Sequence, residues 1–244
     1  LEDPFPEEAN RRLIATLTRW HFAPSEEARQ ALLRENVPPR RIQVTGNTVI
    51  DACLAMAEGA AIPAHLKPAT PHVLVTLHRR EITRDPAILA DVLGALRTLA
   101  ERHPELSFLF PAHPLVAAAA REVLGDLATV RVLPPQPYPV FLALLREAVL
   151  AISDSGGVQE EGPALGTPVA VVRAETERPE AIAAGGVVLT GLEPTGVVVA
   201  VEDLLAANER APSFPYGRGG ASARIAEVLS QALLSEPAHA HEPS

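Results

Sequence analysis

Cysteine is almost missing: Cys53 is the only one among 244 residues. A lone thiol can make neither an internal disulfide nor a cysteine metal cluster, so a reducing, cytoplasmic setting is expected. Cys53 itself reads as a small buried apolar residue. Lysine is equally scarce, since every basic residue except Lys67 is arginine. That bias fits a GC-rich genome and carries no functional weight. Positive charge as a whole is short, and a net charge of −9 argues against a nucleic-acid partner. An anionic ligand would have to find its cations locally, in stretches such as "HRRE" and "ERPE". Long apolar runs are also lacking. The best of them, "VFLALLREAVLAIS", is broken by charges, so no membrane partner is expected. The opening "LEDPFPEEANRR" is acidic and proline-rich, unlike a signal peptide, and it carries no initiator Met. Leu1 is therefore expected to begin a fragment or a processed piece.

Hydrophobic residues make up 47% of the chain and charged residues 21%, a globular composition with enough length for one large domain or two small ones. Residues 7–20 have helical spacing, with Leu13, Leu17 and Trp20 near one face. Ser25-Glu26-Glu27 marks a helix start, a capping hydroxyl followed by acids that suit the positive helix end. "RIQVTGN" reads as a short strand and turn, "TVIDACLAMAEG" as a helix or connector, and "AIPAHLKPATP" as a linker. From His72 onward the pattern becomes regular. The all-apolar runs "HVLVTL", "LSFLFPA", "VRVLP", "VLAIS", "PVAVV" and "GVVLT" alternate with helical segments. Such runs predict parallel strands covered on both faces, hence a Rossmann-like α/β fold with a doubly wound sheet. A glycine loop and one amphipathic helix close the chain. The histidines of the final "SEPAHAHEPS" read as solvated, and no metal site is expected.

In such a sheet ligands bind beyond the C-terminal strand ends. "AISDSGGVQEEGPALGTP" (151–168) lies at one such end. Ser155, Gly156 and Gly157 would present free backbone amides at a helix N-terminus, where the dipole favours an anion and the glycines permit close approach. A tight turn capped by Asp154 or Ser155 explains the same residues about equally well. Glu160 and Glu161 either point aside, where one can accept hydrogen bonds from ribose hydroxyls, or merely complement the helix dipole. "TLHRRE" places His78, Arg79 and Arg80 after another strand, as polyphosphate ligands or as a solvated loop. His113, in "FPAHPLV", could share their cleft, although a helix cap is its simpler role. "AETERPEA" adds Arg178 just ahead of Pro179. Four strand ends on one sheet edge thus carry groups suited to a nucleoside diphosphate.

In combination, order and spacing, "PEEANR", "VTGNTVIDA", "HRRE", "SDSGGVQEEGPALGTPV" and "ERPEA" resemble the non-hydrolysing bacterial UDP-N-acetylglucosamine 2-epimerases, from about Pro4 to Leu229. The resemblance implies the second domain of a GT-B-type two-domain enzyme. It implies interconversion of UDP-N-acetylglucosamine and UDP-N-acetylmannosamine by elimination and re-addition of UDP, without cofactor or metal. It assigns Ser155, Gly156, Gly157 and Glu161 to the diphosphate and ribose, and Arg178 to the nucleotide-sugar site. Gln136 and Phe141 match positions beside the nucleotide and its uracil. His78 and Glu7 match catalytic positions, with Arg79 and His113 as second nucleotide-sugar or phosphate contacts. Leu77 stands where the family has a small residue. The implied organisation is a last segment of the first domain (1–47), a UDP-binding domain (48–209), and a loop and helix crossing back to the first domain (210–244). A homodimer is implied for the full-length enzyme, and this chain alone is expected to be inactive. A GT-B glycosyltransferase and a non-catalytic UDP-binding module are the rival readings.

Overall fold

The computed structural model describes residues 6–208 and 210–235. Two compact units divide the chain. One takes the residues up to Asp51 together with those from Tyr216 onward, and the other is Ala52–Pro215.

The first unit contains helix α1 (Glu7–Leu17), strand β1 (His21–Ala23), helix α2 (Glu26–Arg34) and a 3-10 turn at Pro39–Arg41. Strand β2 (Ile42–Val44) and the start of α3 (Thr48–Glu58) follow. The helix expected over 7–20 ends at Leu17, because Thr18 is already extended and His21–Ala23 pair in parallel with Ile42–Val44. Helix α2 begins as the sequence predicts, with the Ser25 hydroxyl accepting from the Ala28 amide at 3.0 Å. The C-terminal helix Ala221–Ser235 (α11) is tied to the "VTGNTVID" stretch. Asp51 accepts the amides of Ala221 at 3.1 Å and Ser222 at 2.7 Å, satisfying free donors at the start of α11. Arg224 Nε donates to the Thr45 carbonyl at 2.8 Å. Gly46 has φ +82°, and a Cβ there would lie 3.0 Å from the Tyr216 carbonyl oxygen, so glycine is required. On α1, Leu13, Ile14 and Leu17 are exposed.

The second unit is built on six strands: β3 (His72–Thr76), β4 (Ser107–Pro111), β5 (Val130–Leu133), β6 (Leu150–Ser153), β7 (Val169–Val171) and β8 (Val187–Leu189). All pairs are parallel, in the order β5-β4-β3-β6-β7-β8. This is the doubly wound order, in which the first strand lies centrally and the chain crosses over it before building outward on the other side. Among the described residues, seven helices connect or follow these strands: α4 (Arg80–Thr83), α5 (Pro86–Arg102), α6 (Pro114–Leu124), α7 (Tyr138–Glu147), α8 (Gly156–Ala164), α9 (Pro179–Ala183) and α10 (Pro194–Ala207).

Side-chain alternation along each strand feeds two cores. Val73 and Val75 of β3, Phe108 and Phe110 of β4, and Leu150 and Ile152 of β6 pack with α5, α6 and α10. The opposite face is covered by α7 and α8, where Leu142 clusters with Cys53 and Ala57 of α3. Burial pushes the Cys53 thiol up to about 12, so it stays protonated as an inert core residue. Leu77, larger than the residue the resemblance expects, is fully buried in the first core and extends β3's inward side. No helix among the described residues is long and apolar enough to cross a membrane.

Helix α8 is held unusually close to the sheet. A Cβ on Gly162 would lie 2.4 Å from Val169 Cγ2 and 3.2 Å from the Thr167 carbonyl oxygen. Alanine ordinarily stabilises a helix interior by about 0.5–1 kcal/mol relative to glycine. Here overpacking outweighs that gain, and Gly162→Ala should cost about 1–3 kcal/mol, read as a lower urea midpoint. An unchanged or raised midpoint would contradict this packing.

Candidate anion-binding site

The pairing of β3 with β6, in register Thr76↔Ser153, sets the loops after both strands side by side. This is the topological switch point of the sheet. Helix α8 starts there, and its N-terminus is open. Ser155 occupies the N-cap position, yet its hydroxyl makes no cap bond and no acid lies in the first turn. Instead the Ser155 amide donates to Ser153 Oγ at 3.0 Å. Asp154 does not cap α8 either. It is fully buried, and its Oδ2 accepts the amides of His78 at 2.8 Å and Arg79 at 2.7 Å on the neighbouring loop. Of the two explanations the sequence allowed for Ser-Gly-Gly, the capped turn is not what the structure contains.

Two guanidiniums lie over this helix end. A Cβ on Gly156 would sit 3.4 Å from Arg79 Nη2 and 3.5 Å from both Cζ and Nη2 of Arg178. Partial positive charge from the helix end and two permanent cations therefore converge on one backbone amide. Arg178 is steered from below. Its Nε donates to Glu160 Oε1, and its amide donates to Thr176 Oγ1 at 3.1 Å. Thr176 Oγ1 in turn donates to Gln159 Oε1 at 2.5 Å, which ties the loop before α9 onto α8. Burial pushes the Glu160 carboxyl upward, while its ion pair with Arg178 works the other way. Arg173 is not available to a ligand. It is buried, with Nε on Glu81 at 3.0 Å and its Nη atoms on Glu177 at 2.7 and 3.1 Å. Those bonds hold the Glu177 carboxyl down at about 2.

Glu161 is buried one turn into α8, and its Oε1 accepts from the Tyr138 hydroxyl at 2.7 Å. Burial raises its carboxyl above the ordinary value, the Tyr138 bond lowers it, and the nearby Glu160 charge raises it further. Burial first, and then the bond to Glu161, likewise raises the Tyr138 hydroxyl. Because Tyr138 opens α7, this bond links the first turn of α7 to α8.

Of the residues singled out in the sequence, His78, Arg79, Ser155, Gly156, Gly157 and Arg178 converge at the switch point. Glu161 adjoins them, its Oε1 lying 4.0 Å from where a Gly157 Cβ would be. Gln136 donates to the Pro134 carbonyl at 2.7 Å in the loop before α7, and Phe141 is half-buried on that helix. His113 is engaged in a cap, its Nδ1 accepting the Leu115 amide at 3.3 Å. The Glu7 side chain lies outside the described residues, while its neighbour Glu8 is bound by Arg11 and Arg12. No group of three or more His, Cys, Asp or Glu able to hold a metal occurs among the described residues.

An uncapped helix N-terminus at the switch point of a doubly wound sheet, roofed by two arginines, is the arrangement by which α/β domains of the nucleotide-binding class receive anions. Comparison with known proteins narrows the class. The family model for UDP-N-acetylglucosamine 2-epimerase matches residues 1–230. The UDP-N-acetylglucosamine 2-epimerase of Neisseria meningitidis serogroup A is 39% identical over 94% of this chain and 66% of its own length. That of Escherichia coli K12 is 41% identical over 96% and 67%. The crystal structure of the Neisseria meningitidis enzyme bound to UDP-GlcNAc superposes with a TM-score of 0.86 at 37% identity, over 95% of this chain and 66% of that one. A Listeria monocytogenes structure, described as a putative UDP-N-acetylglucosamine 2-epimerase, gives 0.85 at 33% identity, over 97% and 65%. The chain belongs to the UDP-N-acetylglucosamine 2-epimerase family, and it spans about two thirds of the length of these relatives.

The raised carboxyl of Glu161 has a consequence for stability. Protonation of Glu161 favours the folded state. This contribution is complete below the ordinary value of 4.5 and is lost as pH rises through the higher folded-state value. Near neutral pH the buried charge therefore costs stability. Glu161→Gln, which still offers Tyr138 an acceptor, should raise Tm there by about 2–4 °C, equivalent to about 1 kcal/mol. The gain should vanish in scans run below the ordinary carboxylate value. A lower Tm for Glu161→Gln near neutrality would contradict this balance.

Proposed function

We propose that this chain is the UDP-binding half of an enzyme that interconverts UDP-N-acetylglucosamine and UDP-N-acetylmannosamine. The observation that carries the reading is the meeting of Arg79 and Arg178 over the uncapped N-terminus of α8. A diphosphate fits it: the backbone amides of Gly156 and Gly157 to its oxygens, with the two guanidiniums across from them. Glu161 then accepts from ribose hydroxyls, its Tyr138 bond holding the carboxylate in place, and Gln136 and Phe141 flank the base. His78, beside Arg79, meets the phosphate side, with His113 as a more distant contact. Family membership supports the sugar, since the superposed Neisseria meningitidis protein is described as bound to UDP-GlcNAc.

The chemistry is an elimination followed by its reverse. The C2–H bond breaks as a base takes the proton, and the C1–O bond breaks as its electron pair leaves on UDP, giving a 2-acetamidoglycal. A proton then returns to C2 on the opposite face and UDP re-adds at C1. Negative charge grows on the diphosphate in the first step, so groups that bind it better in the transition state than in the ground state accelerate the reaction. The residues of this chain supply that clamp. Glu7 is the acid–base candidate among them, and residues 1–47 are read as the last segment of the first domain, with 210–244 crossing back to it. Without further acid–base groups, the chain by itself binds UDP and does not epimerise. A cytoplasmic location and a full-length homodimer complete the proposal.

Calorimetry with UDP and 2′-deoxy-UDP tests the ribose role. Loss of a hydrogen bond to the Glu161 carboxylate should weaken binding by about 1.5–3 kcal/mol, on the order of 10- to 100-fold. Equal affinities would remove Glu161 from the ribose. Gly156→Val should abolish UDP binding while leaving the thermal transition in place, because its branches displace the arginines and block close backbone approach. Tight UDP binding by that variant would place the diphosphate elsewhere. Solvent deuterium entering C2 with this chain alone would overturn the division between binding and chemistry.

A further inference from the structure

Asp154 is fully buried at the end of β6, yet it serves the loop after β3 rather than its own helix. Its two oxygens do different work. Oδ2 is committed as an acceptor by the amides of His78 and Arg79. Oδ1 lies 2.9 Å from Nδ1 of the His78 ring. It has no aligned hydrogen-bond donor among the described residues. The His78 side chain is 42% exposed, so the ring has room for the small rotation that aligns Nδ1–H with the carboxylate.

We propose that Asp154 is a positioning residue that holds His78 in the Nδ1–H tautomer. This deepens the reading of His78 as a diphosphate-side group and rests on it. A carboxylate that accepts on both oxygens leaves Nδ1 no state except protonated. The exchangeable proton of the ring is then confined to Nε2, the nitrogen left to meet the phosphate oxygen on which charge develops. The same carboxylate fixes the backbone of Arg79, so one buried side chain sets both the tautomer of the histidine and the placement of a guanidinium over α8. A buried carboxylate that orients a histidine through its other ring nitrogen is a recurrent device in enzymes.

Asparagine separates this role from mere support of the loop. The two amides require an oxygen at the Oδ2 position, so the amide nitrogen of Asp154→Asn must take the Oδ1 position and donate toward the ring. Nδ1 would then have to accept, and the fixed proton would move to Nε2. Ring 15N NMR of His78, assigned with His78→Gln and recorded at alkaline pH, reads this directly. The expected result is a protonated Nδ1 and a bare Nε2 in the unaltered chain, with the two nitrogens exchanging character in folded Asp154→Asn. Addition of UDP to the unaltered chain should shift Nε2 more than Nδ1. An Nε2–H tautomer in the unaltered chain, or an even mixture like that of free imidazole, would overturn the proposal whether or not the variant folds. So would a folded Asp154→Asn with its tautomer unchanged. If the tautomers behave as expected and UDP binds without moving Nε2, the link from Asp154 to His78 stands and the phosphate contact of His78 falls. A chain that binds no UDP would instead refute the proposed function.

Discussion

Everything at the site follows from β3 and β6 pairing directly while the chain crosses over between them. Parallel strands emerge with their C-terminal ends on one edge, so the loops after Thr76 and Ser153 must stand side by side. The connections from these loops cover opposite faces, α5 on one and α8 on the other. Ligands of open α/β sheets bind where two such connections part. Asp154 makes the two loops one object, since its buried carboxylate takes both free amides of the neighbouring loop. A buried carboxylate is costly unless paired or hydrogen-bonded, and these amides provide the compensation.

The same principle organises the surrounding charges. With a net charge of −9, the chain could offer the proposed diphosphate only locally concentrated cations. Arg173 is spent on two carboxylates, Glu81 and Glu177, and braces the loop after β7. Arg178 is only half committed, with Nε on Glu160 and its outer edge over Gly156. Such a pair positions the guanidinium without wholly cancelling it. The burial that raises Glu160 and Glu161 trades stability for placement, a common pattern in binding sites.

Much of this was legible from residue pattern. Runs such as "HVLVTL" and "VLAIS" are strands because both faces of the sheet are covered, and no polar alternation survives. The Ser25 cap follows from local chemistry and appears where expected. What escaped depends on distant partners. Strand β1 exists because Ile42–Val44 lie beside it, and its own residues resemble a continuation of α1. The loop run "HRRE" hides the short helix Arg80–Thr83. Asp154 looked like a local cap, whereas it bonds residues 75 and 76 positions away. Tyr138 gave no signal at all, because its partner Glu161 is 23 residues distant on another helix. Spacing along one chain carries periodicity well and carries cross-sheet partnerships poorly.

The open start of α8, under Arg79 and Arg178, is the proposed seat of the diphosphate of UDP. Titration of the 15N-labelled chain with UDP addresses it residue by residue. The account predicts that the amide signals of Gly156 and Gly157, with Nε of Arg178, move furthest and saturate together. Saturable UDP binding that leaves those three signals in place would contradict it.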